Sequence, residues 1–101
     1  MKIEVSAPAA ADFEGIGDRI AERAPLSAVK FVRKLRLRAN DIAILPHAGA
    51  PRPQWGLDVR IVVLGKYLIV HRVRGETVQI LRVLHGARDI DALLVDEPLP
   101  Y

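Results

Sequence analysis

Between Ser6 and Leu45 apolar residues return every three or four positions, whereas from Val59 to Leu84 the pattern changes to short Val-, Ile- and Leu-rich runs of period two, apolar in part on both faces. The first period belongs to helices that bury one stripe and the second to strands that bury one face, so the chain predicts helices followed by a sheet. Phe13, Ile16, Gly17, Ile20 and Ala24 form the first stripe, with Asp12, Glu14, Asp18, Arg19, Glu22 and Arg23 on the remaining surface. Ser6 followed by Pro8 has the form of a helix N-cap with proline in the first turn, where the missing N–H costs nothing. Pro25 ends this helix and starts the next. There Val32, Leu35, Ala39, Ile42 and Leu45 make a second stripe, while Lys30, Lys34 and Arg38 stack at i, i+4, i+8 with Arg33 and Arg36 beside them. With almost no residues between them, the two helices must run antiparallel as a hairpin. The stretch PHAGAPRPQWG, residues 46 to 56, holds three prolines and two glycines and reads as a loop, with Trp55 placed to plug the end of the core.

Beyond the loop, Val59 to Leu64, Tyr67 to Val73 and Thr77 to Leu84 are rich in Val, Ile and Leu and are separated by Gly65-Lys66 and Gly75-Glu76. This predicts a three-stranded antiparallel meander with tight turns. A two-residue turn at Gly75-Glu76 sets Arg74 opposite Thr77, Arg72 opposite Gln79, Val70 opposite Leu81 and Leu68 opposite Val83. It also sets Val73, His71, Ile69 and Tyr67 against Val78, Ile80, Arg82 and Leu84. Lys2 to Val5 alternates and reads as a short opening strand, which must join the meander at its edge or between its members. The predicted class is therefore α+β: an N-terminal strand and an antiparallel helical hairpin packed on a mainly antiparallel four-stranded sheet, in the order β-α-α-β-β-β. Both sheet faces are partly apolar, so the hairpin covers one and something else covers part of the other. DIDALL predicts a short C-terminal helical turn, followed by the acidic, proline-containing VDEPLPY. We expect one domain over residues 1–101, with a core over 1–88 and an extension over 89–101.

Composition narrows the chemistry. Half of the 101 residues are apolar and 27% are charged, the balance of a folding globular chain. With no cysteine, disulfides, thiolate metal sites and thiol nucleophiles are excluded. MKIEVSAPAA has no apolar signal-like region and no apolar run approaches a membrane span, so a cytoplasmic location is expected. Charge is unevenly spread: residues 1–25 carry three basic and five acidic groups, residues 26–45 five and one, and the rest seven and six. The second helix is thus a basic element, suited to an acidic partner, to nucleic acid, or to solvent alone.

No GxxxxGK[ST] or GxGxxG motif is present, and His47, His71 and His85 lack metal-ligand spacing, so no cofactor and no metal are expected. Ser6 and Ser27, the only serines, stand where helix caps and first turns belong. What remains is a basic set near the sheet: Arg60, Arg72, Arg74, Arg82, His85 and Arg88. Cleavage of RNA by general acid/base chemistry needs a proton acceptor, a donor to the leaving oxygen, and cations for the charge developing on phosphorus. His85 with Arg82 and Arg88 would supply part of that set. On the other reading, His85 caps the last strand and the arginines pair with carboxylates such as Asp89, Asp91 or those of a partner.

The element order, the first helix "AAADFEGIGDRIAE", the meander "LGKYLIVHRVRGETVQILRVLHGARD" and its ending "RVLHGARD" resemble the ParE branch of the RelE/ParE toxins of type II toxin–antitoxin systems. The resemblance runs from about residue 3 to 94. It implies a toxin held in a hetero-oligomer by a ParD-like antitoxin and directed at DNA gyrase, with no sequence-specific DNA binding by this chain itself. The RelE branch instead cuts messenger RNA on the ribosome. Its members usually add an arginine on the strand entering the Gly65 turn and an aromatic hydroxyl soon after the last strand. Here Ile61, Val62, Val63 and Leu64 precede Gly65, and residues 86–93 contain no aromatic. The resemblance therefore implies a non-enzymatic toxin, with the ribonuclease built on His85, Arg82 and Arg88, or an inactive member that only binds its antitoxin, as alternatives. Two positions depart from the family's pattern: His71 replaces a usual aromatic, and Ala24 replaces a polar cap before Pro25. For partner binding the candidates are Lys30, Arg33, Lys34 and Arg38 on the second helix, with Arg60, Arg72, Arg74, Arg82, His85 and Arg88 at the sheet.

Overall fold

Each change of period in the sequence is a change of element in the computed structural model, which describes residues 1–101. The order is β1 (Lys2–Val5), α1 (Ala7–Ala21), α2 (Pro25–Ile44), β2 (Ala50–Pro51), a 3₁₀ turn (Pro53–Trp55), β3 (Arg60–Leu64), β4 (Tyr67–Arg74), β5 (Thr77–His85) and α3 (Ile90–Asp96). Ser6 caps α1 by accepting from the Ala9 N–H at 3.0 Å. Ala24, which has no side chain to cap with, precedes α2, and Pro25 supplies the preset φ of the first helical position instead. The β-hairpin turns fall on Gly65 and Gly75, whose φ values of +59° and +58° are open to glycine at little cost.

The sheet runs β1-β5-β4-β3-β2. It has five strands rather than the expected four, because Ala50–Pro51 of the loop pairs with Arg60–Ile61. β1 lies at the edge, parallel to β5, and every other pairing is antiparallel. The expected β4–β5 register holds from Arg74↔Thr77 to His71↔Ile80 and then shifts by one residue, so that Val70 opposes Arg82, Ile69 Val83, Leu68 Leu84 and Tyr67 His85. The physical reason is a β-bulge at Leu81, whose carbonyl accepts the Ser6 hydroxyl at 2.7 Å. The shift explains a pattern that strict alternation forbids. Ile80 and Val83, three apart, share the helix-side core, while Leu81 and Leu84 share the opposite one.

On the helix side, Ala9, Ile16, Leu35, Ala39 and Ile42 pack on Ile69, Val78, Ile80 and Val83. Burying each of the larger of these side chains is worth roughly 1.5–3 kcal/mol. Leu45, read as part of the second stripe, is instead the residue that ends α2 and is 66% exposed. The other face of the sheet is covered from the C-terminal direction. Ile90 of α3 joins Val59, Ile61, Val70, Leu81 and Leu84, with Trp55, Leu93, Leu94 and Leu99 around them. Trp55 thus closes that end of the core, and its Nε1–H donates to Asp91 Oδ1 at 2.6 Å. No helix is long and apolar enough to cross a membrane.

Candidate functional site

The basic residues separate into those the fold consumes and those it leaves to solvent. Arg82 is consumed. Its Nε and Nη2 donate to Asp12 Oδ2 and Oδ1 at 2.7 and 2.9 Å, and the same carboxylate accepts the Val83 N–H at 2.9 Å. Asp12 was expected on the solvent side of α1, and carboxylates such as Asp89, Asp91 or those of a partner were the expected mates of the arginines; the structure corrects the placing of Asp12 and gives Arg82 this nearer mate. The carboxylate points at the sheet, where it meets both a buried guanidinium and a β5 N–H lying beyond the reach of β1. That hydrogen bond raises the Arg82 pKa above its ordinary value despite the opposing effect of burial. Asp89 caps α3 by accepting from the Ala92 N–H, and Asp91 is held by Trp55.

Arg72 is engaged as well. It is 8% exposed, its Nε donates to Gln79 Oε1 at 3.0 Å, and its Nη2 donates to the Tyr101 carbonyl oxygen at 2.6 Å. Burial, then the neighbouring Arg74, lowers its pKa from the usual arginine value. Arg60 Nη1 donates to the Gly49 carbonyl at 2.8 Å and so staples the loop after α2 to the sheet. Arg38 donates to the Val63 carbonyl at 3.3 Å. Lys30, Arg33 and Lys34 on α2, Arg74 at the β4–β5 turn, and Arg88 remain exposed.

His85 ends β5. The turn that follows is closed by Arg88 N–H donating to the His85 carbonyl at 3.1 Å, and Gly86 N–H donates to the Lys66 carbonyl at 2.7 Å. These two bonds bring Lys66, from the β3–β4 turn, and Arg88 to the same corner. The Ala87 N–H donates to His85 Nδ1 at 3.1 Å. In the neutral imidazole Nδ1 is thereby the acceptor, so Nε2 carries the proton and the ring faces outward as a donor. Tyr67, placed opposite His85 by the register shift, packs edge-on to it with ring centroids 5.2 Å apart and touches Phe31 at 5.3 Å. Uninterrupted alternation would have set Tyr67 against Leu84, so its place beside His85 is not legible from spacing alone.

His71 is fully buried, and neither ring nitrogen has a hydrogen-bond partner. Burial first, then the charges of Arg60 and His47, lowers its pKa to about 4, so it is neutral across the physiological range. The chain gives it room through Gly49, where a Cβ would come within 2.9 Å of Nε2. No group of three His, Asp or Glu side chains is placed to hold a metal ion.

Two shallow grooves line the helical side. One, of about 420 Å³, runs between α1 and α2 over Gly17, Ala28, Val29 and Val32, with Arg33 and Arg36 on its rim. The other, of about 460 Å³, lies beside the free edge of β1, lined by Ile3, Val5, Ala10, Phe13 and Ala39, again with Arg36. Arg36 links the two. Nothing in its sequence position set it apart from its basic neighbours, since the first groove arises only when α1 and α2 pack together and the second only when β1 docks beside the hairpin.

Comparison with known proteins agrees with this layout. Residues 3–90 match the family model described as "ParE toxin of type II toxin-antitoxin system, parDE". Among solved structures, a chain of the chromosomal ParDE TA system from P. aeruginosa superposes with a TM-score of 0.74 at 28% identity, covering 84% of this chain and 95% of its own. No curated protein matches. With the family model spanning β1 to the start of α3, the chain belongs to the ParE toxin family of type II toxin–antitoxin systems.

Proposed function

We propose that this ParE-family toxin acts by binding rather than by cleavage, that its target is DNA gyrase, and that a ParD-like antitoxin neutralises it by docking directly on the chain. The observation that carries the non-enzymatic reading is the Arg82–Asp12 pair. The ribonuclease set of His85, Arg82 and Arg88 needs Arg82 free for the charge on phosphorus, and here a carboxylate has already paired with it. His85 is equally ill placed as a base, because its Nδ1 lone pair is taken by the Ala87 N–H.

For the antitoxin, the outward surface of α2 supports an acidic amphipathic helix. Leu26, Val29 and Leu37 are 78%, 59% and 58% exposed, and Lys30, Arg33 and Lys34 alternate with them. The free edge of β1 offers unpaired backbone groups to an extended segment, with the groove at Ile3, Val5 and Phe13 beside it. Arg36, shared by both grooves, would meet an acidic residue where helix passes into strand.

One observation favours the ribonuclease as the second reading: Tyr67 places an aromatic hydroxyl beside His85, as the segment after β5 does not. The two separate in cells. Induction of this chain without antitoxin is expected to stop growth with replication arrested and messenger RNA intact, and co-expressed antitoxin is expected to restore growth. Codon-phased messenger cuts that vanish in His85→Ala would establish the ribonuclease instead, and harmless induction would mark an inactive member.

A further inference from the structure

Three surface clefts meet at His85. One, of about 520 Å³, lies between the end of α1 and the β3–β4 turn, with Arg19, Arg23 and Lys66 on its walls. A second, of about 120 Å³, passes between α1 and β5 and carries Arg19 and Arg88. The third, of about 520 Å³, runs over Lys66 and Gly86. Lys66 is common to the first and third, and Arg19 and Tyr67 to the first and second, so the three form one track past the imidazole.

The groups along this track are donors. His85 presents its Nε2 side outward because Nδ1 accepts from Ala87. The Tyr67 hydroxyl bonds to nothing within the chain, and Arg19 of α1, Arg23 of the α1–α2 turn, Lys66 of the β3–β4 turn and Arg88 of the turn after β5 are all exposed. The acids nearby do not cancel them. Asp12 is fully engaged by Arg82 and Val83, which leaves Glu22 as the single free carboxylate on the walls. We infer that this track is a docking site for the phosphate backbone of a nucleic acid, gripped by Lys66, Arg88, Arg19 and Arg23 around the His85 and Tyr67 donors.

A line of cations along a track suits a polymer with charge at regular intervals better than a single anion. A peptide partner of comparable charge would also need an apolar pocket for an anchoring side chain. The apolar residues of the second cleft, Ile16, Val83 and Leu84, are 1–3% exposed and belong to the core, and the exposed Val63 stands on the third cleft, which is lined by Lys66 but by none of Arg19, Arg23 and Arg88. Base recognition is not provided for. Tyr67 is half-buried and engaged by Phe31 and His85, which leaves no open aromatic platform for a nucleobase. The site therefore grips the backbone without reading sequence. Because His85 faces outward as a donor, it holds the strand and does not cut it. The inference stands apart from the choice of gyrase as target and is tested without gyrase.

The test uses the purified full chain and fluorescence anisotropy with labelled 20-residue single-stranded DNA, the same sequence as RNA, and the DNA duplex, each across a salt series. Poly-L-glutamate serves as the carboxylate competitor. Lys66→Ala/Arg88→Ala is expected to weaken binding about five- to tenfold and to lower the slope of log K against log salt by about two, one per lost phosphate contact. Both residues are exposed, so thermal melts are expected to match the parent and exclude misfolding. Lys30→Ala/Lys34→Ala, which removes two cations from α2, is expected to change neither quantity. Which of the three polymers binds most tightly distinguishes DNA from RNA as the source of the phosphates. Equal losses in both double variants would reduce the site to diffuse charge and overturn the proposal. Displacement by poly-L-glutamate at matched charge, or cleavage of the RNA probe, would overturn it as well.

Discussion

At the scale of single residues the clearest departure from a well-satisfied core is His71. A neutral imidazole must carry one N–H, and here that N–H and the opposite lone pair are both buried without partners. Each such group costs about 1–3 kcal/mol. The titration adds a pH dependence of known sign. The unfolded chain takes up a proton near the ordinary histidine value of 6.5, whereas folded His71 refuses it until about 4. Stability on this account is full above pH 6.5 and is lost as pH falls from 6.5 towards 4. The loss between pH 7.5 and 4.5 is about 2–3 kcal/mol. Urea unfolding of the parent and of His71→Leu at those two pH values isolates it. The variant is expected to be more stable at both and to show a pH difference smaller by about 2–3 kcal/mol. A parallel pH dependence in the two proteins would place the effect elsewhere.

At the scale of elements, α1 is attached to β5 at two points that periodicity does not reveal. Ser6 caps α1 and donates to the bulged Leu81, and Asp12 grips Arg82 and Val83. Removing Asp12 leaves a guanidinium that is 8% exposed without its counter-charge. Asp12→Ala is therefore expected to destabilise by about 3 kcal/mol. Asp12→Leu with Arg82→Met is expected to recover most of this, with a residue of about 1 kcal/mol for the stranded Val83 N–H. Denaturant midpoints of the single and double variants measure both, and a cost below about 1 kcal/mol for the single variant would show that the pair is not structural. These attachments also mark the limit of what the sequence discloses. The helices, turns and meander follow from local spacing, as Ile16, Leu35, Gly65 and Gly75 illustrate. The bulge at Leu81 depends on a hydroxyl 75 positions away, and without the bulge neither the pairing of Tyr67 with His85 nor the two-cluster division of β5 can be placed. Asp12 looked like one more solvent carboxylate for the same reason: its partner lies 70 residues along the chain.

At the scale of the whole molecule the charges are arranged by use. Arg38, Arg60, Arg72 and Arg82 hold the fold together, through α2 to β3, the loop to the sheet, the tail to β4, and β5 to α1. Lys30, Arg33, Lys34 and Arg36 line the helical side, where an acidic antitoxin would lie, and Lys66, Arg88, Arg19 and Arg23 surround His85. On the proposed reading the histidine that closes β5 belongs to a binding surface, and Arg82, one of the three groups of the alternative catalytic set, is already paired with Asp12. The most direct test of the central claim is a gyrase supercoiling assay with purified toxin and relaxed plasmid. The account predicts that supercoiling falls as toxin is added, that cleaved plasmid accumulates, and that stoichiometric ParD-like antitoxin restores the activity. Unchanged supercoiling with toxin in excess, from the same preparation that cuts messenger RNA on ribosomes, would contradict it.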